Sequence, residues 1–315
     1  MRIAVTGSIA TDHLMVYPGR FADQLIEGRL DKVSLSFLAD DLEVRRGGVA
    51  ANIAFGLGSL GLRPVLVGAA GRDFAEYRVW LEAAGVDTES VRISDSRHTA
   101  RFVCTTDADQ NQIATFYAGA MSEARELTLA PIAERVGGLD LVVIAPNDPE
   151  AMIRHTDECR ALGLSFAADP SQQLARLDRA EVRRLVEGAD LLFTNEYEAA
   201  LLQQRSGWTE HQVLEQVGTW ITTHGADGVV IARSDAPTVT VPAVPTDHAA
   251  DPTGVGDAFR AGFLAGLSRR WPPAQAARLG CALATEALQT VGTQEYRITP
   301  ADLIRHAADA PVGIR

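Results

Sequence analysis

The fold is decided by a stretch that begins with Leu141-Val142-Val143-Ile144-Ala145, an apolar run of strand length that leads to a helical pattern over residues 149–161. The same alternation of apolar runs and helical stretches continues to about residue 235. Its later strands are Leu164-Ser165-Phe166-Ala167-Ala168, Leu191-Leu192-Phe193-Thr194 and Thr219-Trp220-Ile221-Thr222-Thr223. Continuous apolar strands separated by helices predict an α/β fold of three layers, in which helices cover both faces of a mostly parallel sheet.

The carboxyl ends of these strands indicate where a ligand would bind. In open parallel sheets, ligands sit in a crevice beyond the carboxyl ends of the strands. Asp169, Asn195 and Thr223 each lie at or just past such an end. We therefore expect these three side chains to line one crevice.

Two segments interrupt the alternation, residues 13–46 and 98–119. The second contains the alternating runs Arg101-Phe102-Val103-Cys104-Thr105 and Gln112-Ile113-Ala114-Thr115-Phe116-Tyr117. Alternation predicts antiparallel strands with one side facing solvent or a partner. We expect a single domain over residues 1–315, in which these segments form a small β-sheet lid over the crevice.

Charge and hydropathy exclude several classes of protein. The net charge of −12 argues against a nucleic-acid partner, because a nucleic-acid backbone is bound by a basic face. No apolar run approaches the ~20 residues of a membrane span, and the first residues become polar too soon for a signal peptide. Cys104, Cys159 and Cys281 have no metal-ligand spacing and form no even disulfide set. These features predict a cytoplasmic protein that binds neither membrane nor nucleic acid.

The chain contains a single lysine, Lys32. A Walker-type phosphate loop needs Gly-Lys-Ser/Thr, and a protein-kinase site needs a lysine on a strand. Neither site can be built here. Phosphate charge would have to be met by backbone amides, a helix dipole, arginine or a bound metal ion.

The segment Asp251-Pro252-Thr253-Gly254-Val255-Gly256-Asp257 precedes an apolar helical run. A glycine turn that feeds a helix lets successive N–H groups converge on one anion, helped by the helix dipole. The adjacent Asp257 could take a proton from a hydroxyl that attacks a phosphoryl group. The alternative is a glycine-rich helix start capped by an aspartate.

Three further motifs occur along the chain. Each alone is typical of a turn or a helix cap. They are Arg46-Gly47-Gly48-Val49-Ala50-Ala51-Asn52, Asn195-Glu196-Tyr197-Glu198 and Thr223-His224-Gly225-Ala226-Asp227-Gly228. Together with the Asp251–Asp257 segment, in this order and spacing, they resemble the ribokinase or PfkB family of carbohydrate and nucleoside kinases, from Ser8 and Asp12 to Gly292. Within that family the chain looks most like the adenosine kinases of actinobacteria.

The resemblance implies a ribokinase-like fold and a role for each matching residue. Asp257 would be the catalytic base, and the N–H groups of Thr253, Gly254, Val255 and Gly256 would form the anion hole. The residues implied for ATP are Thr253, Asn195, Glu198, Thr223, Gly225 and Gly228, with Glu198 acting on Mg²⁺ through water. Those implied for the acceptor are Ser8, Asp12, Gly48 and Asn52, which would grip ribose hydroxyls.

The resemblance also implies a K⁺ site at Asp251 and the backbone near Gly292. Two residues depart from the family pattern: Pro252 stands where threonine is usual, and Val255 where alanine is usual. Pro252 has no N–H to donate to phosphate. Neither departure touches Asp257 or the two glycines, so activity is expected to survive. Pro252 puts the K⁺ site in more doubt, because it can reshape the Asp251 loop.

The acceptor has to be inferred from the lid and the crevice. Phe102, Phe116 and Tyr117 could stack on a purine, an interaction worth about 1–3 kcal/mol per base, or could pack the lid core. Gln172 and Gln173 could pair with the edge of the base, and Arg176 could reach the transferred phosphate. Loop polarity and a solvated charge are the alternatives for these three.

Three functional hypotheses follow. The first is an adenosine kinase that uses ATP, works as a homodimer paired through the lid and is cytoplasmic. The second is a sugar kinase acting on ribose, fructose or a related furanose. The third is an inactive sugar- or nucleoside-binding sensor, which the intact Asp257, Gly254 and Gly256 argue against.

Overall fold

The structure, a computed structural model, describes residues 1–25 and 34–309. Lys32 and part of the predicted lid segment 13–46 lie outside the described residues. The strands are β1 Ile3–Thr6, β2 Ala10–Val16, β3 Asp41–Gly47, β4 Val65–Gly71, β5 Val91–Ser94, β6 Ala100–Thr106, β7 Gln112–Tyr117, β8 Leu141–Ile144, β9 Phe166–Ala168, β10 Leu191–Asn195, β11 Thr219–Thr223, β12 Val229–Arg233 and β13 Ala236–Val241. The helices are α1 Val49–Ser59, α2 Ala75–Ala83, α3 Leu129–Val136, α4 Pro149–Leu162, α5 Arg179–Val186, α6 Glu196–Ser206, α7 Glu210–Gln216, α8 Val255–Ser268, α9 Pro273–Leu288 and α10 Pro300–Asp309.

The large sheet has nine strands within the described residues, in the order β13-β12-β11-β10-β9-β8-β1-β4-β5. Neighbouring strands from β11 to β5 are parallel. Strands β12 and β13 add an antiparallel edge. The predicted mostly parallel sheet is confirmed.

Both faces of the large sheet are buried, because alternate residues of each strand point to opposite sides. On β1, Ile3 and Val5 belong to one apolar core, and Ala4 between them belongs to the other. The first core packs against α1, α2, α8 and α9, and the second against α3 to α7. This is the predicted three-layer arrangement. No helix within the described residues is long and apolar enough to cross a membrane.

The small sheet has four strands in the described part of the chain, in the order β3-β2-β6-β7. Its outer pairs, β2–β3 and β6–β7, are antiparallel as predicted. The central pair, β2–β6, is parallel, which the alternating pattern did not predict. The strands come from two distant segments, and the pairing between segments depends on how the large sheet places them rather than on a hairpin turn.

Candidate active site

The glycine turn, residues 251–257, leads into α8 as the motif predicted. Gly254 caps the helix with φ +75°, a left-handed conformation that favours glycine. A Cβ atom there would also come within 2.8 Å of the Thr293 side chain. The N–H groups of the first turn of α8 have no partner within the helix and lie at its positive end, so they can hold an anion.

Two N–H groups of the predicted anion hole already have partners. The N–H of Thr253 donates to Oδ1 of Asp251 at 2.9 Å, and that of Val255 donates to the carbonyl oxygen of Pro252 over a longer 3.4 Å. Gly254 and Gly256 therefore offer the most accessible donors to an anion, and Val255 can add its weakly held N–H. Val255 and Gly256, the first two residues of α8, would act through their backbone.

Asp257 lies in the first turn of α8 and is partly buried. Burial raises the pKa of its carboxyl group to about 7, although the charge of Arg260 and a hydrogen bond from Asn52 act in the opposite direction. The carboxylates of Asp169 and Glu198 raise this pKa further. A carboxyl group with a pKa near neutrality is suited to accept a proton at physiological pH.

A buried chain of hydrogen bonds orients Asp257. The Tyr77 hydroxyl donates to the carbonyl oxygen of Gly47 at 2.9 Å and accepts from Nε2 of Gln294. The same Nε2 lies 2.8 Å from Oδ1 of Asn52, whose Nδ2 donates to Oδ2 of Asp257 at 2.8 Å. Since a carbonyl can only accept, the Gly47 oxygen sets the direction of the chain and turns the Asn52 amide N–H toward Asp257.

Arg260, one turn beyond Asp257, forms a buried ion pair with Asp169. Its Nη2 donates to Oδ1 of Asp169 at 2.7 Å, and its Nη1 donates to the carbonyl oxygen of Gly256 at 3.0 Å. The pair joins the first turn of α8 to the end of β9. The sequence predicts Asp169 in the crevice but assigns no role to Arg260, a lone arginine in an otherwise apolar helical run. Such a charge inside an apolar pattern is the signal that could have found it.

A cavity of about 570 Å³, the central cavity, lies between the small sheet and the glycine turn. Every residue predicted to bind the acceptor lines it, namely Ser8, Asp12, Gly48, Asn52, Phe102, Phe116, Gln172, Gln173 and Arg176. Thr253, Gly254 and Asp257 of the glycine turn line it too. Its lining also includes Ala10, Val49, Met121, Pro146 and Thr293, which the sequence analysis did not single out.

One wall of the central cavity comes from the small sheet. Phe102 on β6 lies directly opposite Phe116 on β7, and Asp12 on β2 is the register partner of Phe102 on the other side. Paired residues of neighbouring strands share a face. Both rings and the Asp12 carboxylate therefore belong to one face of the sheet, whereas Tyr117, the next residue of β7, belongs to the other face and does not line the cavity. Phe116 is 50% exposed, which leaves its ring open to a ligand.

The opposite wall combines α1 with the loop after β9. Gly48 caps α1 with φ +94°, and a Cβ there would lie 2.6 Å from the backbone of Ser8 and Ala10. Asp12 faces this wall from the small sheet, and burial raises its pKa to about 6, against the lowering effect of Arg45. Gln173 is buried and donates through Nε2 to the carbonyl oxygen of Asn147 at 2.8 Å.

Apart from Thr253, the residues predicted to bind ATP lie outside the lining of the central cavity. Asn195 and Thr223 end the neighbouring strands β10 and β11 and are register partners. Asn195 and Glu198 form a capping box at the start of α6: Asn195 Oδ1 accepts from the Glu198 N–H, and Glu198 Oε2 from the Asn195 N–H, each at 2.8 Å. Gly225 and Gly228 have positive φ angles in the loop after β11.

Glycine is required at position 228 for a steric reason, because a Cβ there would lie 2.1 Å from the carbonyl oxygen of Val241. The capping box and this glycine explain the two motifs locally.

The side chains available as ligands determine how a metal ion could be bound. No group of three or more His, Cys, Asp or Glu side chains converges on one point within the described residues. Glu198 remains close enough to Asp169 and Asp257 to influence the pKa of each. Mg²⁺ typically keeps several waters and binds through one or two carboxylates plus substrate phosphates. The arrangement therefore fits an ion that enters with a nucleotide and meets Glu198 through water.

Comparisons with known proteins agree with this geometry. The chain is 34% identical to a nucleoside kinase of Methanothermobacter thermautotrophicus over 251 residues, which are 79% of this chain and 80% of that protein. The structure of the Burkholderia thailandensis nucleoside kinase in complex with inosine has a TM-score of 0.83 and 34% identity, covering 97% of this chain and 96% of that one. The same kinase in complex with ADP-inosine has a TM-score of 0.82 and 33% identity, covering 99% and 98%.

These similar proteins come from an archaeon and from Burkholderia, and they do not support the closer likeness to actinobacterial adenosine kinases that we expected. They do support the ribokinase-like fold. The model of the pfkB family of carbohydrate kinases matches residues 5–300. The chain therefore belongs to the pfkB family of carbohydrate kinases.

Proposed function

We propose that the protein is a nucleoside kinase that transfers the γ-phosphoryl group of ATP to the 5′-hydroxyl group of a purine nucleoside. Adenosine is the predicted acceptor, with AMP and ADP as products. The observation that carries the proposal is that Asp257 lines the same cavity as the aromatic pair Phe102 and Phe116. The similar nucleoside kinase that was solved with inosine makes inosine the second purine to test.

In this proposal Asp257 is the general base. The Asn52 amide holds Oδ2, so the other carboxylate oxygen would take the proton from the 5′-hydroxyl. The raised pKa makes the carboxylate a stronger base than an ordinary aspartate. Loss of the proton increases the nucleophilicity of the acceptor oxygen toward the γ-phosphorus.

The N-terminus of α8 would stabilise the transferred group. Its N–H groups from Gly254 onward and the helix dipole meet the negative charge on the phosphoryl oxygens. Arg176, an exposed residue of the cavity lining, would add a mobile positive charge. Backbone donors are fixed in advance, so their orientation costs little during the reaction.

ATP would lie along the ends of β10 and β11. Asn195, Thr223, Gly225 and Gly228 are proposed to border it, together with Thr253 of the glycine turn. Mg²⁺, when bound with ATP, would neutralise phosphate charge. Glu198 would orient water molecules around that ion. Its Oε1 already accepts from the Ser171 hydroxyl at 2.9 Å, which fixes the position of the carboxylate.

The ribose and the base would occupy separate parts of the central cavity. The vicinal ribose hydroxyls would meet groups of four lining residues. These are the hydroxyl of Ser8, the carboxylate of Asp12, the backbone of Gly48 and the amide of Asn52. Phe102 and Phe116 would stack on the purine. Gln173 has its NH₂ group committed to Asn147, so its Oε1 would accept from a base N–H, with Gln172 beside it.

A homodimer through the lid remains our proposal for assembly. The face of the small sheet opposite Asp12 exposes Leu42, Val44, Ile113 and Tyr117, each at least 45% exposed. Burying this apolar face against a second copy would remove it from water. Light scattering should give twice the monomer mass, and Val44→Asp should give the monomer. The cytoplasmic location also remains a prediction.

The proposed function is tested by measuring ADP formation from ATP with adenosine, inosine, guanosine, ribose and fructose as acceptors. Adenosine is expected to give the highest kcat/KM. A preference for ribose or fructose would favour the sugar-kinase alternative. Binding of a nucleoside with no phosphoryl transfer to any acceptor would favour the inactive sensor.

A further inference from the structure

Arg45 on β3 connects the small sheet to the glycine turn. Its Nη1 donates to Oδ2 of Asp251 at 3.0 Å, across 206 positions of sequence. Its Nε and Nη2 donate to the two oxygens of Glu43 at 2.7 and 2.6 Å. The Arg45 side chain is 21% exposed and that of Asp251 is 12% exposed, so their ion pair is largely shielded from water.

Asp251 is the residue to which the family resemblance assigns a K⁺ ion, and its surroundings do not fit that ion. Oδ2 accepts from the Gly292 N–H at 3.0 Å as well as from Arg45, and Oδ1 accepts from the Thr253 N–H. These neighbours are hydrogen-bond donors, whereas a hard cation needs oxygen ligands. The guanidinium group also places a positive charge where the cation would sit, and like charges repel.

We propose that the Arg45 guanidinium replaces a monovalent cation at Asp251, so that the enzyme works at full rate without K⁺. This inference rests on the proposed function, because its readout is phosphoryl transfer. Arginine is charged at every accessible pH, and its rigid fork can hold Glu43 and Asp251 together. Arg45 is a positioning residue: it holds Asp251, and Asp251 holds the Thr253 N–H at the start of the glycine turn.

Through Arg45, the small sheet would act on the glycine turn as well as on the acceptor. Strand β3 carries Arg45, and the neighbouring β2 carries Asp12, whose pKa Arg45 lowers. The same guanidinium therefore favours the charged form of the Asp12 carboxylate, which is proposed to bind the acceptor. It also holds the glycine turn, which is proposed to stabilise the transferred phosphoryl group. A free ion at Asp251 would not be covalently tied to the small sheet in this way.

The first experiment uses the wild-type enzyme with adenosine and the Tris salt of ATP in chloride salts of K⁺, Na⁺ and tetramethylammonium at equal ionic strength. We expect rates equal within about twofold, the variation expected from unspecific salt effects. Clear stimulation by K⁺ would overturn the inference while leaving the proposed function intact. Absence of transfer to every acceptor in every salt would instead overturn the proposed function.

The second experiment removes the guanidinium group. Arg45→Ala should lower kcat by about tenfold or more in tetramethylammonium chloride, because a charged hydrogen bond is lost beside the turn. Added guanidinium ion at a non-denaturing concentration should restore part of that rate. An unchanged kcat, or a loss that guanidinium does not relieve, would contradict the inference.

The matched control is Arg46→Ala. Arg46 is the next residue of β3 on the opposite face, where it pairs with Glu295 at 3.1 Å and stacks over Trp80. This variant should keep the wild-type kcat and show no response to guanidinium. If Arg45→Ala fails to fold, the salt comparison on the wild type decides the question by itself.

Discussion

The acceptor side and the nucleotide side of this site are built in different ways. On the acceptor side, contacts join distant parts of the chain. Asn52 reaches Asp257 in the central cavity across 205 positions, and Arg260, one turn of α8 beyond Asp257, reaches Asp169 across 91. On the nucleotide side, the Asn195–Glu198 contacts span three positions and form a capping box that also occurs at other helix starts in this chain.

The span of the contacts indicates how strongly each motif supports a ligand-binding site. A local capping box is explained by the helix that it starts, so it is weak evidence for a ligand site. Polar side chains from distant segments that meet at one cavity are not explained by local structure, because burying each of them costs its hydration by water. A functional role is the more direct explanation for them. The acceptor side therefore carries the functional argument, and the nucleotide side needs experiments that separate a cap from a binding residue.

The largest effect is expected at the centre of the acceptor side. Asp257→Asn should lower kcat by about 10²–10⁴-fold, the usual cost of losing a general base. Calorimetry should show adenosine binding largely intact. Asp247→Asn in the exposed preceding loop is the control and should be neutral. A kcat within tenfold of wild type for Asp257→Asn would remove this residue from the mechanism.

Glu198→Gln tests the nucleotide side. The Mg²⁺ concentration for half-maximal rate should rise by about 10–100-fold, as expected when a carboxylate that orients metal-bound water is lost. Glu181→Gln is the matched control, because Glu181 occupies the same place in the Asp178 capping box of α5. If both variants leave the Mg²⁺ titration unchanged, Glu198 is a helix cap only.

The pH profile tests the environment of Asp257. The base has to be ionised, so kcat/KM should be half-maximal near the Asp257 pKa of about 7, approach its maximum about one unit above it, and fall about tenfold per unit below it. Protonation of Asp12, with a pKa of about 6, should steepen the fall. A profile that stays flat toward the ordinary aspartate pKa of 3.8 would contradict this assignment.

A smaller effect is expected from the hydrogen-bond chain behind Asn52. Tyr77→Phe removes the hydroxyl that sets its direction, and kcat should fall about fivefold for a net loss of ~1 kcal/mol. Tyr296→Phe is the control, since that buried hydroxyl has no hydrogen-bond partner in the described structure. Equal kcat values for the two variants would mean that the chain does not orient Asp257.

Apolar periodicity and short glycine motifs are local signals, and they predicted strands β6 to β11 and residues that line the central cavity. Strands β4 and β5 were not predicted. The sequence assigns Asp12, Asn52 and Gln173 to one site, and all three line the cavity. The roles of these residues remain predictions.

The partners of these residues could not be predicted. Tyr77 and Gln294 are common residue types whose meaning comes only from their contacts. Arg45 lies in the segment 13–46, where no local pattern marks it, and only the fold brings it to Asp251. The parallel β2–β6 pair has the same origin, because tertiary placement rather than local pattern decides it.

The central claim, that the aromatic pair makes the central cavity a nucleoside site, is tested most directly by comparing kcat/KM for adenosine and ribose in wild type, Phe102→Ala and Phe116→Ala. Both acceptors share the ribose contacts, so discrimination has to come from the base. Stacking and pairing with the base could contribute roughly 3–5 kcal/mol, so adenosine should exceed ribose at least about 100-fold in wild type. Each alanine variant should lose adenosine activity far more than ribose activity. Equal losses for both acceptors would contradict the account and leave the two rings as packing of the small sheet.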